Sequence, residues 1–338
     1  QMFASPARAP APRDRLRAAL NQPLRAEPAL RRESVTELLD LSTLGGRWFE
    51  SGDGPGYVVE SVYEAGHCHG RIPLHRALAI DPARLAGQVR DPRLGETEPR
   101  DFLYVDTETT GLGGAGTMVF LAGAARFEGA ALHLRQFLLP GPQYENGLLG
   151  GISRELAGAR ALVSYNGKSF DVPALESRYI LSRQRPPLRA LPHLDLLHPN
   201  RRLFKGVIES HRLPMVEREL LGFEREDDCP SAEVPERYFR FQRSGDPTHI
   251  RPVLRHNAWD ILSLVALAAH LAAVCDDGAS HPLQAARAAE YAGEHAAAAR
   301  HYETALSTVP GRAERLESLE RAARCHTRGG EWEAAAAH

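Results

Sequence analysis

The run Phe102-Leu103-Tyr104-Val105, followed at once by Asp106-Thr107-Glu108-Thr109-Thr110-Gly111, constrains this chain more than any other stretch. Four apolar residues rich in aromatic and β-branched types predict a buried strand that ends in turn chemistry. Side chains on a strand alternate between its faces, so Asp106 and Glu108 share one face. Two carboxylates side by side at the end of a buried strand repel each other. They are stable there only if one keeps a proton or a cation lies between them. Oxygen donors of this kind suit a hard divalent cation, and Mg²⁺ binds through one or two carboxylates plus substrate phosphates. By itself Asp-x-Glu also fits a strand running out into a solvated acidic turn, so the weight falls on the rest of the chain.

The 338 residues have room for about two or three domains and a sizeable core. With 43% hydrophobic and 25% charged residues the chain reads as an ordinary globular protein. A net charge of −2 argues against a protein that coats nucleic acid along its whole surface, and leaves room for a local basic groove. Lys168 and Lys205 are the only lysines; this Arg bias reads as a GC-rich genome rather than as function. Cys68, Cys229, Cys275 and Cys325 are scattered, which predicts neither a zinc ribbon nor a disulfide framework and fits a reducing, cytoplasmic setting. The beginning of the chain lacks the apolar core of a signal peptide. The apolar run from Ile261 to Cys275 is short for a bilayer and carries Ser263 and His270, so a buried helix and no membrane partner are expected.

Four segments are expected. Residues 1–33 form a flexible arm rich in Arg and Pro, either a solvated tail or a contact for a phosphate backbone. Residues 34–99 form a small N-terminal unit, with Ser34 capping a helix to Leu41 and a strand over 56–63. In that unit His67-Cys68-His69 lacks a second ligand pair, so it reads as a turn bracing the next domain rather than a metal site. Residues 100–278 alternate strands over 102–106, 117–125, 132–139, 161–165 and 191–197 with helices over 144–157, 172–183 and 248–275. This pattern predicts an α/β fold, a mixed sheet flanked by helices. Residues 279–338 are helical, and 289–295 resembles 326–332, the helix–Gly turn–helix pattern of incomplete tetratricopeptide-like repeats.

Further polar groups stand at the ends of the core elements. Asn166-Gly167 turns the chain after the strand ending at Tyr165, and Asp171 opens the next helix, as a plain cap or a ligand. His256 and Asp260, four apart, share a face of the long apolar helix. Asp195, an acid within an apolar strand, is either a helix cap or an outer support of the site.

Together Asp-Thr-Glu-Thr-Thr-Gly-Leu at 106–112, Asn-(x)₄-Asp at 166–171, and His256 with Asp260 resemble the DEDD superfamily of 3′-5′ exonucleases on the ribonuclease H-like fold. Leu194-Asp195-Leu196-Leu197-His198, Arg201 to Lys205 and Glu209 to Glu217 are similar to its bacterial YprB-like branch, in which a C-terminal tetratricopeptide-like extension also occurs. The resemblance implies two-metal phosphodiester hydrolysis with two divalent ions, Mg²⁺ or Mn²⁺. It assigns Asp106 to both ions, Glu108 and Asp260 to the nucleophile side, Asp171 to the leaving-group side, and His256 as general base. His256 departs from the pattern: it stands four residues before Asp260, the spacing of the tyrosine-containing subgroup, whereas the histidine subgroup uses five. The resemblance makes Thr109, Leu112, Asn166 and Lys168 substrate contacts. The expected partners are single-stranded DNA or RNA 3′ ends, DNA favoured, and a protein reached through the repeats. Arg201, Arg202 and Lys205 would steer phosphates or line a solvated helix face, and Phe170, Tyr238 and Phe239 are expected in the core rather than as base platforms. A non-catalytic nucleic-acid adaptor and a structure-specific endonuclease are the competing readings.

Overall fold

The computed structural model describes residues 41–111, 116–185, 188–309 and 311–337. The arm expected over 1–33, the body of the helix expected from Ser34, and Leu112 lie outside the described residues.

The strand Phe102–Thr109 has an apolar half buried on both faces. Phe102 and Tyr104 enter a core with Ile261, Leu264 and Leu267, whereas Leu103 and Val105 enter a second core with Leu148, Ile152, Leu175 and Tyr179. A strand covered on both faces belongs in the middle of a sheet, with helices on either side. The strands are β1 (Arg47–Ser51), β2 (Gly54–Tyr63), β3 (Cys68–His69), β4 (Ile72–Pro73), β5 (Phe102–Thr109), β6 (Val119–Glu128), β7 (Ala131–Leu138), β8 (Ala161–Ser164) and β9 (His193–Asp195). Seven of them form one sheet in the order β1-β2-β7-β6-β5-β8-β9. β5 pairs antiparallel with β6 and parallel with β8, so the sheet is mixed.

Helices Glu145–Ala157 and Asp171–Leu181 cover one face and helix Arg251–Asp276 the other. The last is long and apolar enough to cross a membrane by composition, yet 72% of its most apolar window is buried inside the protein. Its place is the core, which explains why Ser263 is tolerated in it: the hydroxyl lies wholly inside a polar network.

One expectation needs correction. Of the segment expected over 34–99, the described residues 41–99 do not stand apart as a small unit, because β2 pairs with β7 from Tyr57↔Leu138 to Tyr63↔Leu132 and so extends the central sheet. An uncovered β7 would leave a row of unpaired backbone groups; β2 and then β1 take up that edge. The rest of the segment supplies Leu74, Ala77, Leu85 and Leu94 to the core around helix 251–276.

The C-terminal part consists of helices Pro282–Ala292, His295–Thr308, Arg312–Gly329 and Trp332–Ala337. Gly293 (φ +86°) and Gly330 (φ +80°) end the first and third in the left-handed conformation that glycine adopts without strain. They stand at matching places in the two similar stretches read from the sequence.

The His67-Cys68-His69 turn behaves as a brace. His69 is buried, its Nε2 lies 2.7 Å from Ser263 Oγ, and its ring packs on Phe223. Burial, helped by the charges of Arg225 and His67, pushes its pKa down to about 3. Between that value and the ordinary ~6.5 the unfolded chain binds a proton that the fold refuses. Its contribution is therefore complete above about pH 6.5 and is lost as pH falls toward 3. At pH 5 the loss should reach about 2 kcal/mol. Urea unfolding at pH 7 and pH 5 should show a smaller pH-dependent drop for His69→Gln than for the wild type; equal drops would mean that His69 is not held neutral.

Candidate metal centre

β5 delivers Asp106 and Glu108 to the face that carries Tyr104, which is the face of helix 251–276. Asn257 of that helix donates from Nδ2 to Asp106 Oδ2 at 2.8 Å and reaches its backbone oxygen at 3.3 Å. Its own Oδ1 accepts from Gln136 Nε2 at 2.9 Å, and Gln136 also donates to Leu254 O at 2.7 Å. The helix can come this close because Gly123 stands opposite Asp106 on β6; a Cβ there would meet Asn257 Oδ1 at 2.4 Å. A glycine inside an apolar strand is the mark of such an approach.

Thr107 points to the opposite face and ties β5 to the second motif. Asp171 Oδ1 accepts from Thr107 N at 2.8 Å and from Thr107 Oγ1 at 2.6 Å. The turn before it is held by Asp195, fully buried, which accepts from Asn166 N at 2.7 Å and Lys168 N at 3.1 Å. The same carboxylate accepts from Leu197 N at 3.2 Å, while Leu196 takes the cap position of helix Leu197–Leu203, so Asp195 braces the turn rather than capping that helix. Asn166 takes a positive φ of 65°, which Asn tolerates better than most side chains. The Lys168 side chain is exposed.

Helix 251–276 sets His256 one turn before Asp260, with His256 Nε2 3.4 Å from Asp260 Oδ2 and 3.8 Å from Glu108 Oε1. Glu108, His256 and Asp260 each bring one donor atom within 4.8 Å of the others. His256 Nδ1 lies 2.8 Å from Asp228 Oδ1 and 3.3 Å from Arg225 Nη1. The shorter contact, to a carboxylate, suits an Nδ1 that donates, and Nε2 is the ring nitrogen that faces Glu108 and Asp260.

Burial, followed by the charges of Asp260, Asp171 and Glu108, pushes Asp106 well above the usual carboxylate range, against the Asn257 hydrogen bond. Burial and the charges of Asp260 and Asp171 do the same to Glu108, against the pull of Arg225. Burial raises Asp171 to about 6 although both Thr107 bonds lower it. A set of buried carboxylates that resist ionising together, with one imidazole beside them, fits a hard divalent cation in donor chemistry.

Arg225 was not singled out in the sequence. Its guanidinium binds Glu217 at 2.6 and 2.7 Å, Asp260 Oδ1 at 2.5 Å and Asp228 Oδ2 at 3.1 Å. Asp228 and Asn257 were missed as well. Asp228 is pushed up by burial, but the His256 hydrogen bond and Arg225 outweigh this and hold it below the usual range. Arg225 and Asp228 lie in an irregular stretch, Glu224-Arg225-Glu226-Asp227-Asp228, where no period marks one charge out from its neighbours.

A cleft of about 220 Å³ opens beside Asp171 and is lined by Thr107, Thr109, Phe170 and Ser177 among others. Thr109 Oγ1 donates to Gly111 O at 2.7 Å. Tyr238 is in the core as expected, stacked on Phe120. Phe170 is not: it is 52% exposed at the cleft, because the chain needs its backbone there to enter the helix and leaves the ring outside. Phe239 is 37% exposed.

The family profile RNase_H_2, of the RNase_H superfamily, matches residues 103–272, half of the chain. The chain belongs to the RNase_H superfamily. Over 173 residues, 51% of this chain, it is 42% identical to "Uncharacterized protein YprB" of Bacillus subtilis and spans 42% of that protein's length. The family B DNA polymerase of Pyrobaculum calidifontis is similar in structure at 15% identity and a TM-score of 0.41, over 60% of this chain and 28% of that one. Membership of the superfamily points to nuclease chemistry.

Arg225 is 5% exposed and Glu217 wholly buried, so removing the guanidinium strands a carboxylate without water. Arg225→Met should lower unfolding free energy by about 3 kcal/mol or more. The double variant Arg225→Met, Glu217→Gln should recover much of that loss. Urea midpoints check both, and an unchanged midpoint for the single variant would show that the pair contributes nothing.

Proposed function

We propose that this chain is a metal-dependent 3′-5′ exonuclease that shortens single-stranded ends, DNA favoured. The observation that carries the reading is that Asp106, Glu108, Asp171, His256 and Asp260, spread over 155 residues of sequence, gather around one end of β5. The same residues carry the motif resemblance, and the superfamily membership supports it.

On this reading Asp106, Glu108, Asp171 and Asp260 hold two divalent ions, Mg²⁺ or Mn²⁺. Bound there, such ions supply an acidified water and neutralise charge on the phosphodiester oxygens. His256 accepts the proton of the attacking water at Nε2, with Asp228 fixing the ring through Nδ1. The four-residue spacing to Asp260 suits this part, since both side chains lie on one helix face toward Glu108. Thr109 and the exposed Phe170 line the cleft that would receive the terminal nucleotide, and Asn166 and Lys168 stand on the turn beside it. The resemblance implies Leu112 as a further substrate contact. The helix pairs that follow Pro282 would act as tetratricopeptide-like repeats that dock a protein partner.

A 5′-labelled single-stranded DNA oligomer and its RNA counterpart, incubated with EDTA, Mg²⁺ or Mn²⁺, test the reaction. A metal-dependent ladder shortening from the 3′ end is expected, faster on DNA. No cleavage of either strand in either metal would sink the reading.

The metal set is tested apart from turnover by thermal unfolding. Asp106→Asn removes one of the mutually repelling charges, so it should raise stability in EDTA. It should also lose most of the stabilisation that saturating Mn²⁺ gives the wild type, about 2.7 kcal/mol at a hundredfold excess over Kd. A variant that responds to Mn²⁺ like the wild type would remove Asp106 from the ligand set.

A further inference from the structure

A second pocket, of about 310 Å³, lies between the C-terminal helices and the strand-rich part of the chain. It shares no residue with the acidic cluster. Arg90, Arg202, Lys205, Arg287, Arg321 and Arg328 line it, against only Glu290 and Glu317. Both acids are already engaged. Glu317 binds Arg287 at 2.8 Å and Arg321 at 3.1 Å, and Glu290 binds Arg321 at 2.7 Å and the Tyr302 hydroxyl at 2.8 Å. Among the described residues no carboxylate pairs with Arg90, Arg202, Lys205 or Arg328.

The arginines are also held where their charges oppose each other. Arg90 and Arg202 both lie on the ring of Tyr291, with Cζ 4.3 and 3.2 Å from its centroid. Burial lowers the pKa of Arg202 and the charge of Arg90 adds to the drop, against the pull of Tyr291. Gln88 fixes Arg202 through its side-chain oxygen at 2.9 Å. Arg90 ends helix Pro82–Val89 at φ +54°, a left-handed position where Gly or Asn is usual. Tyr291 and Gln88 offset part of the repulsion between the neighbouring cations, no carboxylate does, and a bound anion would relieve the rest.

We propose that this pocket holds a phosphate group of a single-stranded polynucleotide, as an anchor separate from the acidic cluster. The choice of a nucleic acid over other anions rests on the nuclease reading. Guanidinium groups already cover the Tyr291 ring, so the pocket offers N–H donors and positive charge rather than a stacking surface. That chemistry takes phosphate oxygens, either an internal phosphodiester or a terminal 5′-phosphate.

Fluorescence anisotropy of a labelled single-stranded DNA oligomer in EDTA, across a salt series, tests the assignment. The variant Arg90→Gly, Lys205→Ala suits it, because glycine relieves the left-handed position and both side chains are exposed. Binding should weaken about tenfold at low salt, and the slope of log K against log salt should fall by about 1.4 for two lost contacts. A variant with two exposed charges removed elsewhere, Arg76→Ala, Arg300→Ala, should bind like the wild type. Repeating the series with 5′-phosphorylated and 5′-hydroxyl oligomers separates the two sources: an effect confined to the first assigns the terminal phosphate, and an effect on both assigns the internal one. Unchanged affinity in the pocket variant, equal weakening in the control variant, or no binding by the wild type would each overturn the pocket. Cleavage in Mg²⁺ is read separately: a wild type that binds through the pocket yet never cleaves loses the nuclease reading and keeps the anchor.

Discussion

Mutual repulsion among carboxylates drawn to one end of a doubly buried strand sets the terms for the rest of the molecule. Asp106 and Asp171 are each tied to a different element, Asp106 by Asn257 and Asp171 by Thr107. Each bond favours the ionised form, yet burial outweighs both and leaves these acids reluctant to ionise together. The arrangement therefore draws stability away from the fold. What offsets it is the sandwich of β5 between two apolar cores, which fixes the strand end whatever charge it carries. The gap at Gly123 belongs to the same solution, since without it Asn257 could not approach Asp106 and the helix would stand off from the strand.

Arg225 is the counterweight on the other side of the cluster. A single guanidinium satisfies Glu217, Asp228 and Asp260, and burial, which would weaken its hold on the proton, is overcome by those partners. The network continues from Glu217 through Ser263 to His69, so the turn near the start of the sheet is connected to the acids at its centre. Glu217 stays above the usual carboxylate range through burial even with Arg225 beside it. This connection gives a physical reason for polar residues inside the most apolar helix: Ser263 and Asn257 face partners that need them, His256 and Asp260 face Glu108, and the buried apolar residues fill the core.

The parts legible in the sequence are those with a short-range signature. Apolar runs placed β5, β6, β7, β8 and the flanking helices, and strand parity put Asp106 and Glu108 on one face. His256 and Asp260 followed from helical spacing. Long-range pairing was harder to read: nothing local in Gly54–Tyr63 says that it adds to β7 rather than to a sheet of its own. Arg225 and Asp228 were hidden for a different reason. In a chain where nearly every cation is Arg and charges crowd an irregular segment, composition gives one guanidinium no distinction. Only tertiary contact selects it. Phe170 was misjudged because hydrophobicity argues for burial, whereas its place before a helix whose first residue is tied to β5 leaves the ring outside.

The near-zero net charge conceals a separation of charge that bears on how a polyanion would be handled. A cluster of carboxylates repels phosphate, so a strand cannot be held there by the protein's own side chains until cations neutralise the acids. Affinity that does not depend on those cations has to come from basic groups elsewhere. The surplus arginines around Tyr291 are such a group, and they sit where the helices after Pro282 pack on the rest of the chain. Arg287, fixed to the backbone oxygens of Leu203 and Lys205, holds those helices in place and so forms one wall of the pocket. On the proposed reading the C-terminal helices then contribute to strand binding through the surface they complete, and deleting them would remove an anchor while leaving the acidic cluster whole. Binding and hydrolysis become separable properties of one chain, the first governed by salt and the second by divalent metal.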